Sequence, residues 1–215
     1  MQSISNKTAE LDLLLKSSLE NMDVLCFTEH WMKEDYLNLI HIDQYKLVNY
    51  FNRKKSEHGG SCIYVKNGIK TKELNYFKDL SEEKEFEMSA TELVDYEFII
   101  LCIYRPPNSN FQNFLKILES IMQKIQSKKK KIFMCGDWNS NFMVDNKRTQ
   151  EVKNLLESYN LTNLVRLLFM QGTNLLNYRI NLGFYLIYYL FNSGCFNNIH
   201  FSGSCFISGN YVVLL

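Results

Sequence analysis

An apolar run, Ile132-Phe133-Met134-Cys135, stops at Gly136 and is followed at once by Asp137-Trp138-Asn139-Ser140-Asn141. A continuous apolar run bounded by glycine suits a strand covered on both faces, and in open α/β sheets ligands collect where strands end. Gly136 lets the backbone turn sharply, Asp137 offers a metal ligand or general base, and Asn139 offers a neutral donor to a phosphoryl oxygen. Gly-Asp-x-Asn is also an ordinary turn sequence, so the segment alone leaves both readings open.

The 215 residues can bury one sizeable core, and no Pro/Gly/Ser-rich linker divides them, so one domain over 1–215 is expected. A net charge of +1 does not call for nucleic acid through the whole-protein field, so a polyanion would have to be gripped locally. Six cysteines, at 26, 62, 102, 135, 195 and 205, include no Cys-x-x-Cys pair, and the first four sit in apolar runs, as reduced core residues do. The four histidines have no zinc-like spacing. No basic segment followed by an apolar run opens the chain, so an intracellular protein of nucleus or cytoplasm is expected rather than a secreted one. No obligate protein partner is evident.

All 23 acidic residues fall at or before Glu157, and Ser158 to Leu215 holds no Asp, Glu or Lys, only Arg166 and Arg179. The longest apolar stretch there, Leu182 to Phe191, has ten residues where a membrane span needs about 20. A second domain is poorly supported by a short, Asn-rich segment without clear periodicity. A region no longer held to its original sequence is the remaining reading.

Helices and strands alternate along the rest. Leu11, Leu14, Leu15 and Leu19 recur at helical spacing over residues 8–20, and Val24 to Phe27 reads as a buried strand delivering Thr28-Glu29-His30-Trp31. Tyr45 to Phe51 and Ser61 to Val65 read as a hairpin-like pair across a charged loop closing at Gly59-Gly60. Thr91 to Val94 and Phe98 to Tyr104 repeat the pattern around Asp95-Tyr96-Glu97, and Pro106-Pro107 stops the second strand. Phe111, Phe114, Leu115, Leu118, Ile121, Met122 and Ile125 share one helical face after a capping Ser109 or Asn110. Lys128 to Lys131 read as the solvated end of that helix. A shorter helix carries Val152, Leu155, Leu156 and Tyr159, and Tyr211 to Leu215 reads as a last strand.

Three apolar runs thus finish with Glu29, with Tyr104-Arg105, and with Asp137 and Asn139, and side by side in one sheet they would converge on one rim. Two carboxylates, a phenol, a guanidinium and an amide suit a hard divalent cation holding a phosphate. Each has a plainer reading as surface acid, core aromatic or rim charge.

The ordered set Thr28-Glu29-His30-Trp31, Gly59-Gly60-Ser61-Cys62-Ile63-Tyr64-Val65, Tyr104-Arg105-Pro106-Pro107 and Gly136-Asp137-Trp138-Asn139 resembles the endonuclease/exonuclease/phosphatase family. Within it, the sequence is most similar to the apurinic-type endonuclease domain that accompanies reverse transcriptase in non-LTR retrotransposons. The resemblance is good from about Asp23 to Val165 and degenerate over 166–215. It implies a two-sheet α/β sandwich and Mg²⁺- or Mn²⁺-dependent cleavage of phosphodiesters, with DNA as partner and no membrane. By position, Glu29 resembles the metal-binding glutamate, Tyr104 the phosphate-side tyrosine, Asp137 the residue that orients the attacking water, and Asn139 its transition-state partner. Arg105 is assigned to the substrate phosphate.

The departures point to a truncated, degenerate copy. Such domains open with a strand ending in an Asn at the site, whereas this chain starts in the helix that follows, which is expected to leave an internal sheet position unpaired and the protein poorly soluble. Where the family carries Asp in a Leu-Ile-Asp-Tyr-like strand, Tyr188 stands here, and Gly209 and Asn210 stand at its closing Asp-His. Impaired or absent cleavage is therefore expected. The alternatives are a non-catalytic remnant that at most binds nucleic acid and a phosphatase of the same fold.

Overall fold

The computed structural model describes residues 4, 8–17, 22–128, 130–140, 142, 144–163, 189–190, 207–208 and 211–214. The chain begins with α1 (Thr8–Ser17), β1 (Val24–Thr28), the single turn α2 (Glu34–Leu37), β2 (Tyr45–Phe51), β3 (Ser61–Lys66) and β4 (Thr71–Glu73). A 3₁₀ segment (Asn75–Leu80) leads to β5 (Glu87–Leu93), β6 (Phe98–Tyr104), α3 (Phe111–Gln126), β7 (Lys131–Asp137) and α4 (Lys147–Ser158). Short strands follow: β8 (Thr162–Asn163), β9 (Tyr189–Leu190), β10 (Ile207–Ser208) and β11 (Tyr211–Leu214).

Two sheets carry the fold, one in the order β10-β11-β1-β3-β2 and the other β4-β5-β6-β7. Between them lies a core of Val24, Cys26, Ile63 and Val65 from the first sheet and Leu93, Ile100, Cys102 and Cys135 from the second. The outer face of the first sheet packs Leu25, Phe27 and Tyr64 against Leu11 and Leu15 of α1. The outer face of the second packs Met88, Ala90, Leu101 and Met134 against α3 and α4. The result is the two-sheet α/β sandwich expected from the sequence.

The apolar stripe of α3 explains why that helix forms where it does. Phe111, Phe114, Leu118, Ile121, Met122 and Ile125 are all buried, and of the two candidate caps it is Asn110 whose side chain accepts from the Asn113 N–H at 3.1 Å. At the start of α4, Asn146 and Thr149 satisfy each other's backbone N–H groups, a reciprocal cap. Helix α1 spans Thr8–Ser17, and β5 starts at Glu87, four residues before the apolar pattern becomes visible.

Two expectations are corrected. The strands ending in Glu29, Tyr104 and Asp137 do not lie in one sheet: β1 belongs to the first, and β6 and β7 are parallel neighbours in the second. Nor is β1 left unpaired, because β3 and β11 both run antiparallel to it, with Cys26 opposite Ile63 on one side and Val212 on the other. Strand β11 thus covers the edge of β1 that was expected to be left bare.

Removing residues 207–215 should therefore reopen that edge and send the full domain into aggregates, read by light scattering, while an equally soluble shortened chain would show that β11 contributes nothing. At the end of β7, Gly136 has φ 134° and lies opposite Ile103, whose carbonyl oxygen occupies the space a Cβ would need. Gly136→Ala should accordingly abolish cooperative folding or lower the unfolding free energy, read from denaturant melts, by on the order of 3 kcal/mol or more.

Candidate active site

Glu29 follows β1 in the left-handed region, at φ 55°, which is costly for a residue with a side chain. Hydrogen bonds hold it there. The Glu29 N–H donates to Gly60 O at 2.8 Å and the Trp31 N–H to Gly59 O at 3.0 Å. Between them His30 is fully buried and packs so tightly on Gly60 that a Cβ there would strike its ring. The Met32 N–H donates to His30 Nδ1 at 3.1 Å, which leaves the proton on Nε2 to donate to Phe51 O at 2.9 Å. Burial lowers the His30 pKa to about 4, so this ring stays neutral and acts as a fixed strut.

Across the gap between the sheets, Tyr104 donates its hydroxyl to Glu29 Oε1 at 2.6 Å. Burial, and then the Glu29 carboxylate, drive the phenol's pKa far above its ordinary value, so it remains a donor. The parallel register of β6 and β7 sets Asp137 directly beside Tyr104. Asp137 is 4% exposed, its Oδ1 accepts from the Asn139 N–H at 2.9 Å, and its Oδ2 has no hydrogen-bond partner among the described residues. Burial pushes this carboxyl up to about 6; the Asn139 N–H opposes the rise and the nearby Glu29 adds to it. Asn139, at φ 46°, donates its side-chain amide to Arg105 O at 2.8 Å.

The structure thus brings Glu29, Tyr104, Asp137 and Asn139 to one rim, but it corrects the placement of Arg105. That residue is 2% exposed, and its guanidinium donates to Trp138 O at 2.6 Å, to Asn139 O at 2.9 Å and to Ser109 Oγ at 3.0 Å. Its carbon lies 5.8 Å from the centroids of both Phe111 and Phe114. The fork is committed to shaping the Trp138–Asn139 turn, and a phosphate approaching from solvent does not meet it. Tyr188, Gly209 and Asn210 lie outside the described residues.

Two functional neighbours escaped sequence reading. Glu87, fully buried, accepts from Arg53 Nε at 2.6 Å and from the Gly60 N–H at 2.6 Å, and so anchors the turn on which Glu29 rests. It stands in the acidic stretch Ser81 to Glu87, a composition that gives no sign of burial, and the Gly59-Gly60 pair, where backbone comes close to something, was the available hint. His30 was quoted only as part of a motif.

The donor set suits a hard divalent cation. Of the two carboxylates, Glu29 raises the cost of ionising Asp137, and Asp137 keeps a buried oxygen that has no hydrogen-bond partner among the described residues.

The sequence profile of the endonuclease/exonuclease/phosphatase family matches residues 5–149. No curated protein matches. Among solved structures, the endonuclease domain of TRAS1, a telomere-specific non-LTR retrotransposon, is similar at 12% identity and a TM-score of 0.52, over 73% of this chain and 66% of that domain. The Leishmania major AP endonuclease LMAP is similar at 15% identity and a TM-score of 0.58, over 87% of this chain and 74% of its own. The Xenopus laevis APE2 catalytic domain is similar at 15% identity and a TM-score of 0.52, over 88% and 79%. These likenesses establish a shared fold.

The raised Asp137 pKa has a testable sign. Between the ordinary aspartate value of about 3.9 and about 6, the native carboxyl holds its proton more often than the unfolded one. Stability of the metal-free protein therefore falls as pH rises through that window. Asp137→Asn should remove this component, so the variant's unfolding free energy, read from denaturant melts, gains on wild type by on the order of 2–3 kcal/mol between pH 4 and pH 7. A pH-independent difference would contradict it.

Proposed function

The chain belongs to the endonuclease/exonuclease/phosphatase family, and from that premise we propose that it is a divalent-metal-dependent DNA phosphodiesterase domain of the non-LTR retrotransposon kind, impaired in cleavage. The observation that supports it best is the meeting of Glu29, Tyr104 and Asp137, delivered by two facing sheets, around a buried carboxylate oxygen that lacks a partner among the described residues. The fold shared with a retrotransposon endonuclease and AP endonucleases favours DNA as the substrate class.

Glu29, with Asp137 beside it, would hold Mg²⁺ or Mn²⁺, which when bound supplies Lewis-acid stabilisation of charge on a phosphate oxygen. Tyr104, kept protonated, stands on the phosphate side and gives its one hydroxyl proton to Glu29, which fixes that carboxylate for the cation. Asp137 orients the attacking water, and Asn139, its amide fixed by the Arg105 carbonyl, steadies the developing charge. The defect lies at Tyr188, Gly209 and Asn210, where the carboxylates and imidazole of the family pattern are replaced. General acid–base catalysis alone is worth roughly 10²–10⁴ in rate.

Nicking of supercoiled and abasic plasmid by the full chain, with and without Mg²⁺ and beside a panel of inositol phosphates, tests this. Slow, Mg²⁺-dependent nicking is expected, lost in Glu29→Gln and in Asp137→Asn, and raised when Tyr188→Asp, Gly209→Asp and Asn210→His are combined. Any one repair alone should restore little, since such groups act as a unit. Nicking that ignores both metal and Glu29, or turnover of inositol phosphates instead of DNA, would overturn the reading.

A further inference from the structure

Strands β1, β6 and β7 each place one cysteine in the core between the sheets. The sulfurs of Cys26, Cys102 and Cys135 all lie within 4.8 Å of one another, and all three residues are buried. Cys102 and Cys135 are direct partners in the parallel pair, while Cys26 comes from the opposite sheet. All are free thiols. The side chains around them are apolar, Val24, Ile63, Val65, Leu93 and Ile100, and the Cys102 and Cys135 thiols donate to the carbonyls of Phe27 at 3.5 Å and Leu101 at 3.4 Å, contacts that a bound ion would replace. Cys62, one strand away, is buried in a different core, against α1. One further polar group belongs to this place: Ser89 lies opposite Cys102 in the β5–β6 register, and its buried hydroxyl stands beside the Cys102 thiol.

We propose that Cys26, Cys102 and Cys135 form a trigonal binding site for a single soft cation, Cu(I), held between the two sheets. Three sulfurs each about 2.3 Å from a central ion stand about 4.0 Å apart. From a ceiling of 4.8 Å, closure asks each sulfur to move inward by only about half an ångström. An all-sulfur, dry site selects soft ions, and structural zinc prefers four ligands where this cluster offers three thiols. One proton leaves for every thiol that becomes a thiolate. Because the cluster is sealed, loading accompanies folding rather than following it.

The position adds a consequence for the rim above. Glu29 lies three residues beyond Cys26, just past the end of β1, while Tyr104 and Asp137 each lie two residues beyond Cys102 and Cys135 and end β6 and β7. A bound ion would tie the two sheets together immediately beneath the residues that must converge.

The test refolds the full chain anaerobically from denaturant with one equivalent of Cu(I), supplied as its acetonitrile complex, and then desalts it. One retained copper per chain is expected, with sulfur-to-copper charge-transfer absorption and an X-ray absorption spectrum showing three sulfur neighbours at a single distance. Cys102→Ser and Cys135→Ser should lose the copper, and Cys62→Ser should keep it. No retained copper in wild type, copper with nitrogen or oxygen neighbours, or equal loss in Cys62→Ser would each overturn the proposal. Should the cluster variants not fold, the wild-type X-ray absorption spectrum decides by itself.

Discussion

Glu87 is an ionisable side chain without solvent exposure, and the geometry of the rim depends on how its two oxygens are satisfied. One accepts from Arg53 and from the Lys84 N–H, the other from the Gly60 N–H. Burial raises its pKa, and those same partners resist the rise. The residue stands on β5 in the second sheet, Gly60 leads into β3 in the first, and the Gly60 carbonyl takes the N–H of Glu29. A buried charge stripped of one partner is typically destabilising by about 3–5 kcal/mol, so the two sheets cannot slide without breaking something expensive. The strained backbone of Glu29 is held by that rigidity rather than by any local preference.

The second sheet uses polarity in an unusual direction. On β5 the residues facing the sheet interface are Glu87, Ser89 and Thr91, all buried, while Met88 and Ala90 face outward into the helix-covered core. An alternation of polar and apolar residues normally marks a strand with one wet face. Here both faces are dry, and the polar one is the inner one.

That inversion explains where sequence reading stopped. The apolar runs of β1, β6 and β7 and the stripe of α3 announced themselves, because continuous burial and a three-to-four-residue period need no knowledge of partners. So did the residues that end those runs, Glu29, Tyr104 and Asp137. Which sheet each strand joins was not legible, since period and burial say nothing about the neighbour across a ladder. The start of β5 was hidden by its own interior acid. Arg105 misled for a related reason: the carbonyls of Trp138 and Asn139 that bury it are backbone atoms, invisible in a string of side chains.

The pairing of β1 with β11 joins residues 24–27 to residues 211–214, almost the full separation the chain allows. During synthesis at roughly 5–20 residues per second, one edge of the Leu25–Phe27 strand waits tens of seconds for the segment that will cover it. Throughout that interval the nascent chain offers an apolar, hydrogen-bonding ribbon to whatever is nearby, a chaperone or another copy of itself. Timing on the ribosome thus bears on the partition between a folded domain and an aggregate, alongside the free energy of the finished fold.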